Sequence, residues 1–281
     1  MKENLLTFQD YKLGVQSVTL NIKALDTTQK QREKFEKKFQ EFMESDAVHP
    51  KIIQRTDDKV TYKTECIIPK ERDLRPPLLL IFGNPASHSV YSEMFFSSER
   101  NGKEHHIWKI LSNASILSFP TLTKDNSSKN VGNYNQLKKE QLYKLSYESP
   151  FRIGLAVYYS MPSTASKPKS WAGVIGLESL FGRKALREIA ECEKDRITRI
   201  IERFISPDGA VFTFQKDAYS AIKDSASPEY SRAKAIAGQL IGRCQFDSNI
   251  KLFGCPPTRL LRGRKSVALL KDFVKRIRGV G

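Results

Sequence analysis

The chain has 281 residues, 40% of them hydrophobic and 28% charged, which is apolar material enough for one sizeable core and excludes a globally disordered chain. No window approaches the ~20 consecutive apolar residues of a membrane span, and the start MKENLLTFQDYK lacks the apolar stretch of a secretory signal, so the expected compartment is the cytoplasm, or the nucleus in a eukaryote. The 47 Lys and Arg against 31 Asp and Glu leave a net charge of +16, which calls for a polyanionic partner.

In chain order, GVQSVTLNI (14–22) and KVTYKTECII (59–68) alternate and are rich in β-branched residues, so each predicts a strand. Between them KQREKFEKKFQEFMES places Phe35, Phe39, Phe42 and Met43 on one helical face. Residues 1–74 therefore read as a β-α-β extension. Arg75-Pro76-Pro77 breaks the chain and introduces LLLIF (78–82), an apolar run of the kind buried on both faces of a parallel sheet. IGLAVYY (153–159), GAVFTF (209–214) and NIKLF (249–253) are similar runs. Helical spacing separates them at 105–114, 183–205 and 228–243, and recurs at 265–278. TKDNSSKNVGNY, between Thr121 and Tyr134, reads as a polar loop. The expectation for residues 75–281 is an α/β domain with a mainly parallel sheet covered on both faces.

In such sheets ligands bind beyond the carboxyl ends of the strands, which singles out GNPASHS, SMPSTAS, QKDAYS and GCPPTRLLRGRK. The last of these opens the most basic stretch of the chain: from Lys251 onward there are nine basic residues and one acid, Asp272. Neither GxxxxGK nor GxGxxG occurs, which removes support for nucleoside triphosphate or dinucleotide chemistry. Cys66, Cys192, Cys244 and Cys255 show no CxxC spacing and read as reduced thiols. His105 and His106 read as surface groups at a helix start, and His88 as a candidate substrate or phosphate contact; no metal or cofactor is expected.

The first of these loops carries a resemblance. Asn84-Pro85, Ser87, Ser89, Phe96-Ser97 and Trp108, in that order after a buried strand, resemble the uracil-DNA glycosylase superfamily, nearest its mismatch-specific uracil and thymine branch. The match is tight over about 30 residues and looser over 78–281. The resemblance implies a three-layer α/β/α fold and hydrolysis of the N-glycosidic bond of a flipped, deaminated or mismatched base, by a monomer that takes DNA, duplex or single-stranded. On that reading Asn84 holds the attacking water. Gly83, Pro85, Phe96, Ser97, Tyr159 and Ser160 surround the base, with Phe96 stacking on it and Trp108 packing its helix. Ser87, His88, Ser89, Thr258, Arg259, Leu260, Arg262, Arg264 and Lys265 contact the DNA. Leu260 is the candidate wedge into the duplex, while an ungapped alignment puts Arg259 there.

Two departures stand beside the match. Cys255-Pro256-Pro257-Thr258 occupies the place where the family has His-Pro-Ser or Asn-Pro-Ser, and Gly83 adjoins Asn84 where the family glycine stands one residue earlier. The chemistry asks for little covalent work, since a cation-like sugar and a departing anionic base need positioned water and hydrogen-bond donors. A nucleic-acid-binding protein of the same fold without the reaction is the alternative expectation, and a hydrolase of free nucleosides or nucleotides the third. The C-terminal charge argues against the third, because a small substrate has no use for it.

Overall fold

The computed structural model describes residues 5–10, 15–25, 28–98, 103–120, 131–165, 168–205 and 209–279. They divide into two compact units, neither continuous in sequence: Met1–Cys66 with Asn84–Phe95 and Tyr159–Asp195, and Ile67–Gly83 with Phe96–Tyr158 and Arg196–Gly281.

The first unit is antiparallel. Strand β1 (Leu6–Asp10) pairs β2 (Val15–Asn21), which pairs β4 (Lys59–Ile67), and β3 (Ile53–Thr56) pairs β4 as well. Helix α1 (Gln29–Glu44) starts on a capping box: Thr28 Oγ1 accepts from the Gln31 amide and Gln31 Oε1 accepts from the Thr28 amide. Its i, i+4, i+7 residues Phe35, Phe39 and Phe42 are buried as the spacing requires. Phe35 stacks on Phe181 at the end of α6 (Gly173–Phe181), and Phe42 meets Trp171 edge-on. Helix α2 (His49–Ile52) and the short α3 (Ser87–Tyr91) also belong here, with α7 (Arg183–Phe204) as far as Asp195. Sequence alternation and helical spacing mark β2, α1 and β4 but neither β1 nor β3, so the leader is more than one β-α-β turn.

The second unit holds the parallel strands. Strand β5 (Pro77–Phe82) lies between β6 (Arg152–Val157) and β7 (Ala210–Thr213), β7 pairs β9 (Asp247–Gly254), and all three ladders are parallel. Every residue of β5, β6 and β7 is buried, which is why these runs lack alternation. Strand β8 (Ile241–Cys244) pairs β9 antiparallel. Helices α4 (His106–Asn113), α5 (Val131–Tyr143), α8 (Lys216–Ile222), α9 (Arg232–Ile236) and α10 (Gly263–Arg278) complete the unit. Phe273 of α10 packs edge-on against Phe212 and tilted against Phe253, anchoring that helix to β7 and β9.

The α/β class stands, with one adjustment: strand pairing is mixed over the chain, antiparallel in one unit and parallel with an antiparallel member in the other. The helix expected over 228–243 is also corrected. Only Arg232–Ile236 is helical, because Gly238 adopts φ +71° and turns the chain into β8. The loop expected after Thr121 lies outside the described residues as far as 130, and α5 begins at Val131. No helix among the described residues is long and apolar enough to cross a membrane.

Candidate functional site

In the first unit the group of interest is built around Asn84, the second residue after β5. Its amide Nδ2 donates to Ser163 Oγ (2.8 Å) and to the Met161 carbonyl (3.4 Å). The Met161 carbonyl can only accept, so the amide orientation is fixed with nitrogen toward it. Ser163 Oγ lies within donating distance of the Gly173 and Thr164 carbonyls, which leaves its lone pair for Asn84. A parallel bridge ties the two loops: the Ser87 amide donates to the Ser163 carbonyl and the Ser163 amide to the Pro85 carbonyl. Gly173 sits at φ +61°, and a Cβ there would stand 3.9 Å from Asn84 Oδ1. The half-buried Asn84 is thus held by one end of its amide, and its Oδ1 has no hydrogen-bond partner among the described residues.

The neighbouring expectations divide. Pro85 is buried, and Ser87 is fully buried with its hydroxyl donating to Asp46, so Ser87 faces a carboxylate and is not open to phosphate. Ser89 is buried as well and is likewise no surface contact, while His88 is half-buried. Ser160 is corrected: it is fully buried, its amide (2.6 Å) and hydroxyl both donate to Glu193 Oε1, and its oxygen meets Tyr62 Oη at 2.9 Å. Tyr159 is buried too, lining with Tyr62, Met161 and Glu193 a cavity of about 10 Å³, too small for a base. Both were expected to touch the base because they follow a strand end; Glu193 and Tyr62, 33 and 98 residues away, draw Ser160 into the interior instead.

In the second unit Gly83 is half-buried at the end of β5, beside Phe82. Phe82 stacks on Phe214 at 4.9 Å and takes Phe96 edge-on at 4.8 Å. Phe96 has φ +49°, an uncommon backbone for a bulky residue, and the Trp108 indole donates to its carbonyl at 3.0 Å. Ser97, next to it, is buried. The Phe96 ring lies 4.8 Å from that of His105, whose Nδ1 caps α4 by accepting from the Ile107 amide. His106 packs at 4.4 Å on His105, and its Nε2 donates to the Thr258 carbonyl at 3.2 Å. His105 and His106 are therefore half-buried links between Phe96 and the loop after β9, and not surface groups.

Around Trp108 lies a feature that the sequence did not signal. Lys138 of α5 is buried, paired with Glu104, with its ammonium over the rings of Tyr134 (4.4 Å), Trp108 (4.8 Å) and Phe119 (5.6 Å). Burial pulls its pKa down, and the Glu104 carboxylate opposes that.

The loop after β9 turns its thiol inward and its charge outward. Cys255 is fully buried, its amide donates to the Thr213 carbonyl at 2.8 Å, and burial pushes its thiol well above the ordinary range. A neutral thiol in the core is no substitute for an imidazole or amide donor to a departing base. Thr258, Arg259 and Leu260 form one 3-10 turn, in which Arg259 is exposed and Thr258 and Leu260 are half-buried. Leu261, which follows the wedge candidate Leu260, is buried and so committed to the core. Arg262, Arg264 and Lys265 are exposed at the start of α10, and like that of Arg259 their side chains have no partner among the described residues.

The polar partner missed by sequence reasoning is Ser163. It lies in SMPSTAS, a segment already marked as following a strand, so the signal was the strand end and not the residue type. Among the described residues no three His, Cys, Asp or Glu side chains converge as a metal site. No protein-family model matches the chain, and no curated protein matches it.

Proposed function

We propose that the chain is a DNA glycosylase of the uracil-DNA glycosylase type, hydrolysing the N-glycosidic bond of a flipped uracil or related deaminated or mismatched base. The observation that carries the reading is Asn84, clamped through Nδ2 and left with an accepting Oδ1 at the second residue after a buried parallel strand. An amide oxygen fixed in this way accepts a proton of a water and aims its lone pair, a positioning role that needs no ionisable group. A neutral amide removes no proton strongly, so the turnover is modest beside that of a carboxylate base. In the other unit, Phe96 supplies an aromatic face worth about 1 to 3 kcal/mol if a base stacks on it. Arg259, Arg262, Arg264 and Lys265 supply phosphate contacts, with Thr258 beside them. Extrusion of the base costs a few kcal/mol, least for mismatched or damaged pairs, and phosphate contacts offset that cost.

Burial of Cys255 favours a second reading, a DNA-binding protein of this fold that has lost the reaction, since the group that stabilises the leaving base in the resembling family has no equivalent there. One experiment separates the two. The purified chain is incubated with duplex and single-stranded oligonucleotides containing uracil, hypoxanthine, xanthine or a G·T mismatch, and abasic sites are cleaved with alkali. Cleavage at one modified position, lost in Asn84→Ala, establishes the glycosylase and names its base. Salt-dependent retention of the oligonucleotide without cleavage establishes the binding protein.

A further inference from the structure

From Arg264 the second unit carries a row of cations that runs on past the 258–265 segment. Helix α10 turns Leu270, Phe273 and Val274 inward. At about 100° per residue, Arg264, Lys271, Lys275 and Arg278 fall within a sector of about 60° on its outer side. All four are exposed, and none has a partner among the described residues, whereas Arg276, further round the helix, is tied to Asp272 at 2.7 Å. From Arg264 to Arg278 the row is about 21 Å long at ~1.5 Å per residue. Along its C-terminal half runs an open groove of about 860 Å³, lined by Arg243, Lys251, Lys275 and Arg276, with Asp272 as its acid.

We propose that the part of this row beyond the 258–265 segment, Lys271 to Arg278, holds together with the groove the sugar-phosphate backbone of a nucleic-acid duplex, over about three base pairs at ~3.4 Å each. The proposal rests on the reading that the chain acts on nucleic acid, and it names the duplex as the partner. Charge complementarity carries it: unpaired cations at regular helical spacing gain most from a regular polyanion, by releasing its condensed counterions. A single strand is held by aromatic stacking as well as by charge. The large exposed apolar side chains among the described residues are Leu74, Tyr91, Leu137, Ile175 and Ile236, and none lies on α10, β8 or β9. A lipid surface would need an apolar face to insert, and α10 has already committed its own to Phe212 and Phe253.

The test uses the full chain and the variant Lys271→Gln, Lys275→Gln, Arg278→Gln, which leaves residues 258–265 untouched. Binding to plain duplexes of decreasing length, to the matching single strands and to anionic lipid vesicles is measured by fluorescence anisotropy or sedimentation across about 50 to 200 mM salt, the range over which phosphate-bound cations respond. For the duplex, the slope of log K against log salt becomes shallower by about 2.7 in the variant, at ~0.9 for each cation removed, while the single-strand slope is unchanged. The wild-type affinity drops when the duplex is shortened by about three base pairs at that end, and that of the variant does not. A charge-keeping variant, Lys271→Arg, Lys275→Arg, Arg278→Lys, restores the slope and excludes misfolding as the cause. An unchanged duplex slope overturns the proposal, and so does an equal loss on single strands or a loss confined to vesicles. If the wild-type chain binds neither duplex nor single strand, the glycosylase reading falls with it. If it releases a base while the Gln variant keeps its full duplex slope, only the duplex track is lost.

Discussion

The loop after β5 and the loop after β9 both leave the carboxyl end of a parallel strand whose last residues are buried, yet they spend their polar groups in opposite ways. After β5, Asn84, Ser87 and their partners Ser163 and Asp46 satisfy one another, and a single accepting oxygen is left over. After β9 the interior is occupied by Cys255 and Leu261, and four cations stand outside without partners among the described residues. A group held on several sides acts through its position, because its geometry is fixed before any ligand arrives. Unheld charges act through affinity, since they order only on meeting a counter-charge and their effect is screened by salt. On the proposed function, the contrast would give positioning to the first loop and attachment to the second.

The sharpest way to break this contrast is to remove the left-over acceptor. Asn84→Ala is expected to lower single-turnover base release by about 10²- to 10³-fold, the scale of losing one preorganised polar group, while leaving the dissociation constant for DNA within about twofold. Equal losses of binding and release would place Asn84 among the attachment groups instead. The converse change, Arg262→Ala with Arg264→Ala and Lys265→Ala, should make the salt slope of duplex binding shallower by about 2.7, at ~0.9 per cation, with the release rate of the saturated complex unchanged. Ser163→Ala removes the main acceptor of the Asn84 amide and is expected to reduce release about tenfold, or ~1.4 kcal/mol. A matching Ser163→Thr, which keeps the hydroxyl, should recover most of that loss in the same assay.

The smallest effect concerns stability and lies outside both loops. Glu65 on β4 is buried, and burial pushes its pKa well above 4.5. The folded chain thus holds a proton there that the unfolded chain releases above pH 4.5, so this residue makes stability fall as pH rises from that value toward the folded pKa. Glu65→Gln, neutral at every pH, should flatten that part of the dependence of Tm on pH relative to wild type. Identical pH profiles for the two proteins would mean that Glu65 does not hold its proton in the folded state.

Strands β5, β6 and β7 were legible because burial on both faces writes a continuous apolar run, and β9 through its buried end, Leu252–Gly254. The position of Asn84 just past a strand end was legible because an Asn-Pro pair follows such a run. Strand β8 was not: its first residues sit inside PEYSRAKAIAGQLIGR, whose apolar spacing also suits a helix, and only the positive φ of Gly238 decides between them. The roles of Ser163 and His106 depend on a parallel bridge to Ala86 and a hydrogen bond 152 residues away, links without local signature. Ser160 misled for the same reason, since nothing near it in sequence announces that Glu193 will capture it.

Burial of Cys255 reaches beyond the question of the leaving base. Alkylating reagents attack thiolates, and a thiol that is fully enclosed, with its pKa pushed far up, presents none to solvent. Cys66 and Cys244 share that enclosure, and Cys192 is the half-buried exception. The chain consequently carries its own clock of structural opening: modification at 255 advances only as fast as the loop after β9 leaves the core, and a bound duplex that held this loop closed would slow it.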